Sequence, residues 1–196
     1  MDQTKRETIL DSATKAFTKL GFKKASVDEI ARDAGVAKGT VYLAAESKED
    51  LFYQVVHREL RNWIAEVSQL IDPRVPADEL LATTSMAAFQ YLETHPLVRD
   101  LFAGNCDTIM PGWVGRFDEL RVMGRATVME LLRLGIRQGR FRADLDVEQT
   151  AELLQDLQLV GYLQLARNGP PSAEVLQRRF QAGLALVLDG LRPRPS

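Results

Sequence analysis

The chain has 196 residues, 45% hydrophobic and 27% charged, the composition of an ordinary soluble globular protein. No apolar run is long enough to cross a bilayer, and the start Met1-Asp2-Gln3-Thr4-Lys5-Arg6 lacks the apolar stretch of a secretory signal, so no membrane contact and a cytoplasmic location are expected. The single cysteine, Cys106, rules out an intramolecular disulfide and a cysteine-rich zinc site; no metal and no cofactor are expected.

The net charge of −2 conceals an asymmetry, because residues 1–48 carry nine Lys and Arg against seven Asp and Glu, leaving 16 against 20 in the remainder. A positive N-terminal end on a negative body favours contact with nucleic acid there, although a solvated helix face carries such an excess too. Thr4-Lys5-Arg6-Glu7 has the form of a capping box and predicts a first helix, with Ile9, Leu10, Ala13, Ala16, Phe17 and Leu20 on one face and Gly21 as its stop. Ser26-Val27-Asp28-Glu29 is a second capping box and opens a short helix that ends at Gly35. A third helix is predicted over residues 38–45 with Val41 facing inward. Two short helices around a glycine turn suggest a helix-turn-helix.

Ser47 caps a longer fourth helix with Glu49 and Asp50 in its first turn and an apolar stripe from Leu51 to Val67, running to about Ile71. Asp72-Pro73-Arg74-Val75-Pro76 breaks it. A fifth helix through Leu80, Leu81, Ala87, Ala88 and Leu92 ends near His95-Pro96, and Pro96 can start another. The stretch 103–112 reads as loop, followed by a long helix through Phe117, Leu120, Val128, Leu131, Leu132 and Ile136 to Gly139. Two further helices, Asp146 to Arg167 and Ser172 to Asp189, flank the stop signal Asn168-Gly169-Pro170-Pro171. Both carry apolar residues on more than one stripe, and a helix apolar on two sides needs two partners. Deep burial within one chain satisfies that, but few later elements remain to cover the pair, so a homodimer through residues 146–191 is expected. No strand-like alternation competes, and the fold class is all-α.

From Thr4 to Phe52 the chain resembles the DNA-binding domain of the TetR family of transcriptional regulators. The stretch Ser26-Val27-Asp28-Glu29-Ile30-Ala31-Arg32-Asp33-Ala34-Gly35-Val36-Ala37-Lys38-Gly39-Thr40-Val41-Tyr42 matches the family's helix-turn-helix signature, and Ser47-Lys48-Glu49-Asp50-Leu51-Phe52 is similar to its entry into the fourth helix. Residues 135–146 resemble a junction common before the family's dimerisation helices. The resemblance implies a three-helix DNA-binding domain over residues 1–47, then a helical ligand-binding and dimerisation domain over 48–196. It also implies double-stranded operator DNA, read as a palindrome by a dimer, and a small-molecule effector as partners.

Carried over residue by residue, the resemblance makes Ser26 a phosphate contact as well as a helix cap. Lys38, Gly39 and Thr40 fall at the start of the recognition helix, with Lys38 directed to phosphate or guanine and Gly39 permitting close approach. Tyr42 and Lys48 are phosphate contacts in this reading, a buried tyrosine and a solvated lysine in the blander one. The chain departs from the family at Ala44 and Ala45, where two ring-bearing side chains are usual; Phe17, Phe22 or Phe52 are the candidates to fill the space.

In mid-chain, Met86, Phe89, Phe102, Trp113, Phe117 and Met123 are the expected lining for an apolar or amphipathic effector, with Arg121, Arg125 or Gln158 for a polar group; core packing is the competing role. An enzyme finds no support, since there is no phosphate loop, no dinucleotide glycine pattern and no histidine pair at ligand spacing. The activity that the resemblance implies is a ligand-responsive regulator, a repressor released by its effector. The alternatives are a constitutive DNA-binding protein without effector, and a metal or redox sensor.

Overall fold

The computed structural model describes residues 2–102, 113–167 and 173–193, and within them the side chains other than those of residues 89, 92, 93, 100–102, 113–120, 159–167, 173, 174, 176 and 177. Every regular element among the described residues is a helix: α1 (Gln3–Lys24), α2 (Val27–Asp33), α3 (Lys38–Ala44), α4 (Lys48–Gln69), α5 (Ala77–Thr94), α6 (Pro96–Phe102), α7 (Trp113–Arg137), α8 (Val147–Arg167) and α9 (Ala173–Leu191). Among the described residues no helix is long and apolar enough to cross a membrane. The loop expected over 103–112, with Cys106 and Met110, lies outside the described residues, as does the stop signal 168–171.

Local signals set most boundaries. At Ser26 the capping box forms, with the side chain accepting from the backbone of Glu29 and the Glu29 carboxylate returning to the backbone of Ser26. Ser47 likewise accepts from the backbone of Asp50 to start α4. The Thr4–Glu7 box does not form. α1 starts two residues earlier than a Thr4 cap would set it, at Gln3, and the Glu7 carboxylate instead accepts from Gln3 Nε2 at 2.9 Å and from Arg58 at 3.1 Å. A charged guanidinium outcompetes a backbone amide for the same carboxylate. Gly21 interrupts α1 at φ 74°, and one further turn ends with the Ala25 N–H on the Gly21 carbonyl.

That interruption matters for the first core. It redirects the chain so that Phe22 packs against Phe17 and Phe52, with ring centroids 6.0, 5.1 and 5.2 Å apart around the three. Ala45 is buried in the same cluster. The core continues through Ile9 and Ala13 of α1, Ile30 of α2, Val41 of α3 and Leu51, Val55 and Val56 of α4. It extends to Leu60, Tyr91 of α5 and Val98 of α6, so α4 serves the three-helix head with its first turns and the rest of the chain with its last. Polar ties reinforce the joint with α1: the largely covered Arg58 reaches Glu7, Asp11 and Thr14, and Arg6 donates to Gln54.

A second core gathers Ala77, Leu80 and Leu81 of α5, Leu131 and Leu132 of α7, Phe141, Ala151 and Leu154 of α8, and Leu191 of α9. Its keystone is the turn after α7. Phe141 lies directly over Gly135, where an added Cβ would stand 2.0 Å from a ring carbon. Gln138 receives the Ala77 N–H at 2.8 Å and donates to the carbonyls of Pro73 and Val75, so one amide closes the α4–α5 loop. Arg140 grips Asp78 through two bonds of 2.7 and 2.5 Å, and the Arg142 N–H bonds the Leu191 carbonyl at the end of α9.

Candidate nucleic-acid interface

The α2–turn–α3 unit is braced from within. Gly35, at φ 65°, donates to Arg32 and the next residue, Val36, to Ala31, which leaves α3 anchored by the fully buried Val41 and open on its other side. At the head of α2, the Ser26 hydroxyl accepts the Glu29 N–H at 3.1 Å and donates to the Glu29 carboxylate at 3.0 Å, so its local role as a cap is fully occupied.

Lys38, the first residue of α3, is exposed and bonds Asp28 on α2 at 2.8 Å. That bond to the carboxylate holds the Lys38 pKa above the usual lysine value. A phosphate or base approaching Lys38 therefore competes with a carboxylate already in place. Gly39 is exposed, and a Cβ there would meet nothing within 4 Å, so no intramolecular crowding requires glycine. Thr40 is half-buried and Tyr42 is 46% exposed, which sets aside a buried tyrosine. Lys48 is not merely solvated: its ammonium donates to the Lys23 carbonyl at 3.3 Å and sits 4.6 Å above the Phe22 ring.

Lys48 thus reaches the last turn of α1, three residues before Ser26, while Lys38, Gly39, Thr40 and Tyr42 lie along α3. The exposed Lys23 and Lys24 stand in that same last turn. Sequence reading passed over them because they belong to a different helix from the motif. It also passed over Leu43, 78% exposed; the signal was available, since Leu43 is two positions from the inward Val41 and so falls on the far side of the helix.

A sequence profile for bacterial regulatory proteins of the tetR family matches residues 9–55, from α1 into α4. Residues 9–55 thus carry the DNA-binding domain of that family. The chain is 27% identical over 192 residues to the transcriptional repressor KstR2 of Mycolicibacterium smegmatis, covering 96% of this chain and 91% of that one. To the HTH-type transcriptional regulator YhgD of Bacillus subtilis it is 26% identical over 187 residues, 94% of each chain. Among solved structures, the transcriptional regulator FadR of Bacillus subtilis in complex with stearoyl-CoA superposes with a TM-score of 0.76 at 21% identity, covering 95% of this chain and 99% of the other, a likeness of fold. With that DNA-binding domain the chain is a helix-turn-helix regulator of transcription, with a helical body behind it.

In that body, Met86 is half-buried on α5 and Met123, on α7, packs against the first core; the side chains of Phe89, Phe102, Trp113 and Phe117 lie outside the described ones. Polar groups collect where α5, α7 and α8 meet. Gln158 donates to Ser85 at 3.2 Å, and Gln155 donates to the Arg121 carbonyl at 3.1 Å. Arg121 pairs with Asp156, and Arg125 with Glu152 at 2.7 Å. Arg125 Nε and Gln155 Oε1 are buried without a hydrogen-bond partner among the described residues.

On α8, Ala151 and Leu154 turn inward to the second core while Leu153 and Leu157 are 58% and 48% exposed. On α9, Leu188 and Leu191 pack inward and Leu186 is 75% exposed. Leu153 and Leu157, one turn apart on α8, and Leu186 on α9 thus present apolar surface to water.

Proposed function

We propose that this regulator is a repressor that binds a palindromic operator as a homodimer and leaves it when a small apolar or amphipathic effector fills its helical body. Residues 1–47 read the DNA, and residues 48–196 bind the effector and pair the protomers through 146–191. Ser26, Tyr42 and Lys48 hold phosphates, while Lys38, Gly39 and Thr40 approach base edges. The observation that carries this reading is the open outer side of α3, anchored by buried Val41 and headed by the exposed Lys38.

Met86, Phe89, Phe102, Trp113, Phe117 and Met123 would surround the effector's apolar part. The partnerless Arg125 Nε and Gln155 Oε1 support a polar group on the same molecule. The stearoyl-CoA in the FadR structure, a long apolar chain on a charged head, is a ligand of this shape. Exposed Leu153, Leu157 and Leu186 support pairing across α8 and α9.

The test uses a duplex selected from a randomised pool by the full chain. Wild type should bind it as a dimer, and Leu157→Glu with Leu184→Glu should sediment as a monomer and bind weakly. Lys48→Ala should weaken all sequences alike and reduce the salt slope by about 1. Stearoyl-CoA, as probe, should lower operator affinity by roughly 5–150-fold. A wild-type monomer at micromolar concentration, or operator affinity that is indifferent to a bound probe, would overturn the dimer or the induction respectively.

A further inference from the structure

Leu43 is the most exposed large apolar side chain among the described residues, at 78%, and it stands on the helix that carries the reading residues. Helical spacing puts it four residues after Gly39 and three after Thr40, on the side opposite the buried Val41. Among the described residues nothing covers that side, since even a Cβ at Gly39 would meet no atom within 4 Å. The remaining residues of α3 offer little hydrogen-bonding reach. Its sequence, KGTVYLA, has no Arg, Asn or Gln to form the paired bonds that mark guanine or adenine, and its one lysine is tied to Asp28.

Resting on the DNA-reading role proposed above, we infer that Leu43 is a specificity-determining residue that packs against the C5 methyl group of a thymine in each half-site. The thymine methyl is the one apolar group that base pairs present in the major groove. Any other base edge opposite a leucine would lose its water without gaining a hydrogen-bond partner, which is unfavourable. The contact therefore selects a thymine by attraction and rejects guanine and cytosine by desolvation. Gly39 contributes by keeping the helix backbone bare, so that a side chain as short as leucine reaches the base.

The experiment replaces each thymine of the selected duplex, singly, by deoxyuridine, which removes the methyl and keeps the base pair. One thymine per half-site should be sensitive, with affinity falling roughly fourfold for the lost methyl contact. Leu43→Ala should bind the thymine and uracil duplexes equally, and Leu43→Met should keep the preference; both should melt as wild type does, because the side chain is exposed. The inference is overturned if no thymine is sensitive, or if the preference survives in Leu43→Ala. Should wild type select no sequence at all, the DNA-reading role itself fails. A selected duplex without a uracil effect defeats only the leucine contact.

Discussion

Two turns in this molecule, one between α2 and α3 and the other between α7 and α8, are built on opposite plans. The first closes on itself: Gly35 and Val36 bond back to Arg32 and Ala31, and Ser26 and Glu29 satisfy each other at the head of α2. The second reaches outward, with Gln138 bonding Pro73, Val75 and Ala77, Arg140 bonding Asp78, and Arg142 meeting Leu191. A self-sufficient turn leaves its outer surface free to meet another molecule. A turn that commits its polar groups to distant segments fixes the body on which the first is mounted.

The comparison is broken most severely at Gly135 and Phe141. Phe141→Ala, at a residue 2% exposed, should cost about 3–5 kcal/mol in urea unfolding. Gly135→Ala alone should cost about 1–3 kcal/mol, because its Cβ would overlap the ring. The double variant should lose clearly less than the two together, since the ring that the added methyl would strike is gone; strict additivity would show that the two do not press on each other.

Damage to the self-contained turn should be smaller and local. Ser26→Ala removes the cap from α2 and should cost about 1 kcal/mol, with faster amide exchange confined to the start of that helix. Exchange spreading to α7 or α8 would contradict the local plan.

The smallest effect sharpens the comparison through pH. Hydrogen bonds from Arg140 hold the Asp78 carboxyl below the usual aspartate pKa of about 3.9. The unfolded chain then takes up that proton at higher pH than the folded one. The stabilisation is thus complete well above pH 4 and is lost as pH falls through the folded value. Asp78→Asn should be less stable than wild type at pH 6, with the gap in urea midpoint narrowing toward pH 3. A gap independent of pH would remove the ion pair as its cause.

The two plans also explain what the sequence made legible. Ser26, Ser47 and Gly21 act on residues within a few positions of themselves, so the boundaries they set were readable from spacing. The Thr4–Glu7 box misled because Glu7 is claimed by Arg58, 51 positions away, and nothing near Glu7 announces that partner. The ties of Gln138 and Arg140 were invisible for the same reason. In the helix-turn-helix, the placing of Lys38, Gly39, Thr40 and Tyr42 on α3 was legible through the motif, but the carboxylate on Lys38, the carbonyl under Lys48 and the exposure of Leu43 depend on how the helices are set together.

The grip of Arg58 on Glu7, Asp11 and Thr14 has a mechanical consequence. It fastens α1 to the first half of α4, so a displacement of that helix would carry α1 with it. With 22 residues, α4 is about 33 Å long. Tilting it by about 5° about its Gln69 end would carry Lys48 along an arc of about 3 Å, close to the roughly 3.4 Å step between bases on one strand. If the head reads DNA as proposed, a tilt of that size would move Lys48 by nearly one base step.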